Sequence, residues 1–154
     1  MKHHFTILLL ILPLIIGNSY ETAPAMIPET VERDLFTMGN KMKVGIGDKS
    51  YLATLSDNPS ATAFKALLPL TVRMRELNNN EKFFKLPKNI PSNDSNPGTI
   101  NSGDLMLWES NTLVVFYETF STSFNYTRLG KIDNPTGLAE ALGSGDVTVT
   151  FELR

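Results

Sequence analysis

Apolar and polar side chains alternate with a period of two over much of the chain from Met42 onward. Met42, Val44 and Ile46 share one side of the first segment, and the pattern resumes at residues 51–55 after a Gly-Asp-Lys turn. Because successive side chains of a strand point to opposite faces, this pattern predicts a β-hairpin. The alternation of residues 147–153 predicts a further strand with one buried face.

More strands are predicted between these two ends. In residues 70–77 apolar side chains alternate with Thr71, Arg73 and Arg75, which indicates a strand with one apolar and one cationic face. The unbroken apolar run at 113–117 is typical of a strand that is buried on both faces. The other predicted strands are a short one through Phe83 and Phe84, residues 104–108 and residues 126–132. Residues 87–103 are rich in Pro, Asn and Ser, which predicts a long irregular loop.

Two short segments have helical spacing. The first has Asn58 as its predicted N-cap and Pro59 at its first position, and it stops before Pro69. The second is predicted to begin at Asn134-Pro135 and to close at Gly143. Strands and helices in this order predict a mostly β fold, a closed antiparallel β-barrel whose ends are capped by two short α-helices.

The first residues have the layout of a secretory signal peptide. Lys2 precedes an apolar run from Phe5 to Ile16, which is shorter than the roughly 20 residues that span a membrane. We therefore expect a signal peptide at residues 1–19, a linker at 20–40 and one domain at 41–154. A secreted or periplasmic location follows, with membrane attachment only if the leader stays uncleaved.

Composition narrows the chemistry of the expected mature chain. The sequence has no Cys, and its two histidines are His3 and His4, which would leave with the leader. This excludes Ser-His-Asp and Cys-His catalysis and the usual zinc ligand sets, so no metal and no cofactor are expected. Without Lys2, 13 basic residues stand against 16 acidic ones. No basic cluster is present, so nucleic acid is not an expected partner.

The stretches "MKVGIGDKSYLATLSDNPSATAFKALLP", "GDLMLW…TLVVFY" and "RLGKI" resemble the cyclophilin-like domain family over roughly residues 42–153. The resemblance implies a cyclophilin-like barrel and suggests prolyl isomerisation, in which an arginine weakens the prolyl amide conjugation while an apolar pocket holds the ring. Arg73 or Arg75 in "TVRMREL" stands where that arginine would be, although the family's Phe-His pair is missing. The catalytic candidates are therefore Arg73 and Arg75, with solvated exterior residues as the plainer interpretation.

A barrel that binds without catalysis is the interpretation that the incomplete motif favours. Its expected ligand is a small molecule or a proline-containing peptide, and the protein is expected to be a monomer. The candidate ligand-binding residues are the aromatic ones near the later strands, each of which has packing as its plainer role: Trp108, Phe116, Tyr117, Phe120 and Tyr126. Peptidyl-prolyl isomerase is the alternative. Another enzyme class using carboxylates stays open, although these show no paired-acid spacing: Glu76, Asp104, Glu109 and Glu118.

Overall fold

The structure, a computed structural model, describes residues 28–31 and 39–154. The predicted leader and most of the predicted linker lie outside the described residues. Within residues 41–154 the chain forms ten strands and two helices. The strands are β1 (Lys41–Ile46), β2 (Lys49–Leu55), β3 (Leu70–Leu77), β4 (Glu81–Lys85), β5 (Thr99–Ile100), β6 (Asp104–Trp108), β7 (Thr112–Phe116), β8 (Phe120–Ser121), β9 (Thr127–Ile132) and β10 (Val147–Leu153). The helices are α1 (Pro59–Lys65) and α2 (Leu138–Leu142).

Eight strands close into an antiparallel barrel in the order β1-β10-β3-β4-β7-β6-β9-β2. The predicted mostly β barrel with short helices is thus confirmed. The predicted hairpin turn is also present, because β1 and β2 pair with Ile46 opposite Lys49, and Gly47 takes a positive φ of 57°. Side chains at alternate positions of each strand fill the interior, from Met42 on β1 to Phe151 on β10.

Helix α1 begins as the sequence predicts. The Asn58 side chain accepts a hydrogen bond from the Ala61 backbone N–H at 2.7 Å, and Pro59 occupies the first turn. The Asn58 amide also donates to the Arg128 carbonyl at 2.8 Å, which ties the start of the helix to β9. Phe64 then packs edge-to-face on Phe151, with ring centroids 5.9 Å apart. The helix therefore packs directly against the barrel core.

The predicted start of α2 at Asn134-Pro135 is wrong. Asn134 instead forms a turn in which its side-chain oxygen accepts from the Thr136 backbone N–H at 3.1 Å, and Gly137 has a positive φ of 76°. The helix begins only at Leu138. An Asn side chain that bonds the backbone two residues ahead favours a turn over continued helix, so the Asn-Pro signal marks a turn here. The predicted end at Gly143 is confirmed.

A second small sheet lies outside the barrel. Residues 87–103, predicted as an irregular loop, contain β5, which pairs with β8 of the Phe120–Ser121 segment. Strands of two residues are too short to show a period, so the sequence pattern misses them. The two strands cover the outer face of β7, where Ile100, Met106, Val114 and Phe116 form a second apolar cluster. The barrel core covers one face of β7 and the small sheet covers the other, which explains the burial on both faces that the apolar run at 113–117 predicts.

No helix in the described parts of the chain has the length and apolar character needed to cross a membrane.

Candidate functional site: an aromatic groove on the outer face of the barrel

A groove lies on the outer face of β4, β7 and β6, beside the segment that carries β8. Its cavity volume is about 380 Å³, within the size range of sites for small ligands. Most of the lining atoms belong to apolar and aromatic side chains, with polar groups at the two ends. The lining residues are Leu77, Asn78, Asn80, Glu81, Phe83, Lys85, Trp108, Thr112, Val114, Phe120, Phe124 and Tyr126.

Strand register orders the floor of this groove into three rows. Leu77, Glu81 and Phe116 are opposite one another in the first row. Phe83 and Val114 stand in the middle row, next to Met106. The third row contains the remaining three positions: Lys85, Thr112 and Trp108. Since a strand rises about 3.3 Å per residue, the Glu81 and Lys85 ends are about 13 Å apart.

Glu81 is the ionisable group most affected by the groove. Burial, and to a lesser extent the nearby Glu76 carboxylate, together raise the pKa of its carboxyl to about 7. Among the described residues, Glu81 has no hydrogen-bond or ion-pair partner. A carboxyl with a near-neutral pKa in a concave apolar site is a physical indication of a functional position.

Asn80 is a second polar residue at the same end of the groove. The turn between β3 and β4 places Asn78 and Asn79 at φ of 56° and 55°, a conformation that Asn tolerates better than most residues. The turn is fixed on both sides, because the Glu76 carboxylate accepts from the Asn79 N–H at 2.8 Å and the Asn80 carbonyl accepts from the Tyr117 N–H at 3.0 Å. The Asn80 side-chain oxygen Oδ1 is buried and has no hydrogen-bond partner among the described residues.

The inner face of β4 is organised in the opposite way. Lys82 is fully buried, and its Nζ donates to the Glu76 carboxylate and, at 2.7 Å each, to the carbonyls of Gly143 and Gly145. The Tyr117 hydroxyl donates to the same carboxylate at 2.9 Å. Burial, followed by this bond to Glu76, raises the pKa of Tyr117 to about 12, so the hydroxyl keeps its proton. This network joins the barrel wall to the loop after α2.

Three of the predicted ligand-binding residues line the groove. They are Trp108, Phe120 and Tyr126. Phe116 lies directly beneath it and is fully buried, with ring centroids 5.6 Å from Phe120 and 5.5 Å from Tyr126. Phe116 therefore supports the aromatic wall from below.

Of the two predicted arginines, only Arg75 borders the groove. Its guanidinium carbon lies 5.5 Å from the ring centre of Phe83, which is itself a lining residue. Arg73 is 71% exposed, and its Nε is 3.7 Å from Asp146, outside the groove. Tyr117 points into the barrel interior. The structure thus does not bring Arg73 or Tyr117 to the groove.

Two carboxylates of the other enzyme hypothesis, Glu76 and Asp104, are engaged in structural contacts. Glu76 belongs to the interior network, and Asp104 is buried against Arg128, with 3.1 Å between Oδ1 and Nη1. Within the described residues, no group of three or more His, Cys, Asp or Glu residues is placed to hold a metal ion.

Sequence reasoning missed Asn80, Glu81, Phe83 and Phe124 as groove residues. One signal for Glu81 and Phe83 is present, since these two residues and Lys85 occupy alternate positions along β4 and must share a face. What the pattern lacks is the choice of face, because Phe83 and Phe84 are adjacent and equally apolar. Phe124 sits in a stretch of Ser, Thr and Asn that has no period.

Comparisons with known proteins agree with this architecture. The model of the cyclophilin-like family matches residues 44–152. The solution structure of the hypothetical protein AF2241 from Archaeoglobus fulgidus is similar, with a TM-score of 0.53 and 16% identity over 77% of this chain and 97% of that one. At this identity the likeness concerns the fold alone. No curated protein matches the chain significantly.

Proposed function

The chain belongs to the cyclophilin-like family, and we propose that it is a binding module without catalytic activity. Its ligand is a small molecule or a proline-containing peptide, held in the outer groove between Glu81 and Trp108. The barrel supplies a rigid floor, because β4, β7 and β6 are paired on both sides in the closed sheet. The aromatic side chains supply the apolar contact area.

The observation that carries this proposal is the exposure of large aromatic groups around a formed cavity. Phe124 is 65% exposed and Trp108 is 44% exposed, and both line the same groove. Single exposed apolar residues are common on soluble proteins, but a group of them around a concave site indicates an interaction surface. Ligand binding would remove this apolar area from water and so stabilise the complex.

Trp108 provides the test, since it is the one Trp of the chain. We expect its fluorescence to change saturably when the protein is titrated with acetyl-Phe-Pro-amide or with small aromatic compounds. Phe124→Ala should weaken that binding about tenfold, as expected for removal of an aromatic contact. Leu153→Ala is the matched control, because Leu153 is 47% exposed but lies outside the groove. If none of these probes gives a saturable fluorescence signal, the proposal is contradicted.

Prolyl isomerisation is the second candidate function, and the position of Arg75 favours it. Arg75 stacks on a groove residue, and its guanidinium makes no ion pair with another described residue. A guanidinium at this edge would have its donors close to a prolyl amide held over Phe83. Donation to the prolyl nitrogen would lower the rotation barrier, which is about 18–20 kcal/mol for a peptide bond.

The two functions are separated by measuring cis/trans exchange of acetyl-Phe-Pro-amide by NMR exchange spectroscopy. A binding module should leave the exchange rate of the bound proline peptide unaccelerated. Acceleration that disappears in Arg75→Ala and persists in Arg73→Ala would establish the isomerase in place of the binding module. The Arg73 variant is a matched control because both arginines lie on the outer face of β3.

A further inference from the structure

The Glu81 carboxyl, at the end of the groove beside the β3–β4 turn, has no hydrogen-bond or ion-pair partner among the described residues. Building on the proposed binding function, we infer that the groove recognises a positively charged N–H group, such as a primary ammonium, carried on an apolar body. The apolar body lies along the aromatic wall, and the cation binds the Glu81 carboxylate.

The type of group follows from what the Glu81 side chain can do. An ionised Glu carboxylate accepts hydrogen bonds and never donates. A partly buried carboxylate left without a partner carries a desolvation penalty, which a ligand donor relieves. A ligand carbonyl or carboxylate would instead place its own electronegative oxygen against the carboxylate oxygens of Glu81. The ligand group is therefore a donor.

Charge favours a cation over a neutral donor. Glu81 lies between Leu77 and Phe116 in the first row, so apolar side chains flank its partly buried carboxylate. Hydrogen bonds between ionised partners in such a site are about twice as strong as neutral ones. The aromatic faces of the groove add attraction for a cation.

The protein's own cations do not fill this position. Lys82 faces the interior and is engaged by three acceptors. Arg75 lies in the middle row against Phe83, and Lys85 lies at the far end of the groove. Each positive group near Glu81 is thus directed elsewhere, and the Glu81 carboxylate is left for a ligand.

Ionisation of Glu81 makes this recognition dependent on pH. Burial and Glu76 hold the pKa of Glu81 at about 7, so the free groove is largely protonated at pH 6 and largely ionised at pH 8. Tyr126 and Tyr117 keep their protons in this range, since burial raises the pKa of each. The titratable groups that interact electrostatically with Glu81 are Glu76, Tyr117 and Tyr126, and Arg75 and Lys82 are the cations close to it along β3 and β4. An alkylammonium stays protonated at both pH values, so its affinity should rise about tenfold from pH 6 to pH 8 as Glu81 ionises.

The experiment uses two probes that share one body: 2-phenylethylamine, which is cationic, and its N-acetyl derivative, which is neutral. Trp108 fluorescence of the protein reports binding of each. At pH 8 we expect the amine to bind about tenfold more tightly than the acetylated probe. Glu81→Gln should abolish this preference and its pH dependence while retaining binding of the acetylated probe, which also shows that the variant is folded.

Glu140→Gln is the matched control, because Glu140 lines a separate surface concavity near α2, and it should keep the preference for the amine. Equal affinity of the two probes, or tighter binding of the neutral one, overturns this inference and leaves the binding function standing. If neither probe gives a saturable change in Trp108 fluorescence, both this inference and the proposed binding function of the groove are contradicted.

Discussion

The two faces of β4 carry side chains of opposite charge, and these side chains differ in whether they have hydrogen-bond partners. Lys82 points inward, is fully buried and has three acceptors around its ammonium. Its chain neighbour Glu81 points outward into the aromatic groove, has no described partner and has a pKa raised to about 7. Both side chains are surrounded by apolar and aromatic residues. They differ in whether the protein itself supplies their hydrogen-bond partners.

This difference distinguishes polar groups that stabilise the fold from polar groups that are available to a ligand. A buried polar group that is fully hydrogen-bonded joins parts of the fold, as Lys82 joins β4 to the loop at Gly143 and Gly145. An unpartnered acceptor destabilises the free protein and stabilises a complex that supplies a donor. The interior network is therefore expected to control stability, while the groove residues control ligand binding.

Lys82→Met should show the largest effect and tests the structural half of the comparison. Removing the ammonium leaves the Glu76 carboxylate and two loop carbonyls without their donor, and breaking a buried pair in this way destabilises by about 3–5 kcal/mol. The free energy of unfolding from urea titrations measures this change. A loss below about 1 kcal/mol would show that the network contributes little to stability.

The double variant Lys82→Met with Glu76→Leu sharpens the same test. It removes both members of the pair, so no uncompensated charge remains, and we expect it to recover at least half of the lost stability. Tyr117 then loses its acceptor, which limits the recovery. A double variant that is less stable than the single one would show that the damage comes from packing.

Glu81→Gln should act in the opposite direction and only at high pH. The pKa of Glu81 is about 7 in the folded protein, against an ordinary value of 4.5. Between these values the folded state holds a proton that the unfolded state has released, so the stability of the native protein falls as pH rises from about 4.5 to about 7. The variant has no such penalty. We expect it to be more stable than the native protein by about 2 kcal/mol at pH 8 and equal to it near pH 4.

Thermal unfolding of both proteins across this pH range provides the measurement. Glu152→Gln serves as the control, because Glu152 forms an ion pair with Lys43 at 2.9 Å on the exposed outer surface. A surface pair of this kind contributes about 0–1 kcal/mol, with no gain expected at high pH. If Glu81→Gln is less stable than the native protein at pH 8, the carboxylate has a stabilising partner and the proposed contrast with Lys82 is wrong.

The barrel could be predicted because its signal is local. Alternation at β1, β2, β3 and β10 identifies strands from adjacent residues alone, and the unbroken run of β7 indicates cover on both faces. The pairing of β1 with β10 and the position of the β5–β8 sheet depend on contacts between distant residues. A single sequence shows no such contacts.

For the same reason, only some residues of the groove are among the ligand-binding candidates that the sequence indicates. Trp108, Phe120 and Tyr126 stand out as large aromatic residues near strand ends, so composition identifies them. Glu81 does not stand out, because its pKa shift results from burial by strands that are distant in the chain. Arg73 and Arg75 share one face of β3, but only register reveals that Arg75 is opposite Phe83.

A smaller effect is expected at the edge of the groove. Arg75→Ala removes the contact with the Phe83 ring, and an exposed cation–π pair of this kind contributes about 0.5–1 kcal/mol. Arg73→Ala removes a long, exposed pair with Asp146 and should change stability by less than about 0.5 kcal/mol. Urea titrations of the two variants side by side measure the difference. Equal losses of stability in the two variants would show that the contact between Arg75 and the Phe83 ring does not stabilise the protein.

The smallest change in stability is expected for Phe124→Ala, at most about 0.5 kcal/mol, because its ring is 65% exposed and buries little area on folding. The same substitution should weaken binding of aromatic probes, since a ligand would cover that ring. Phe116→Ala is the contrasting variant: Phe116 is fully buried beneath the groove, and its removal should destabilise by about 3–5 kcal/mol. Urea titration and Trp108 fluorescence measure both quantities on each variant. If the Phe124→Ala protein loses stability but keeps its affinity for the probes, the Phe124 ring stabilises the fold and does not bind ligand. The proposed distinction between interior residues that control stability and groove residues that control binding would then be wrong for Phe124.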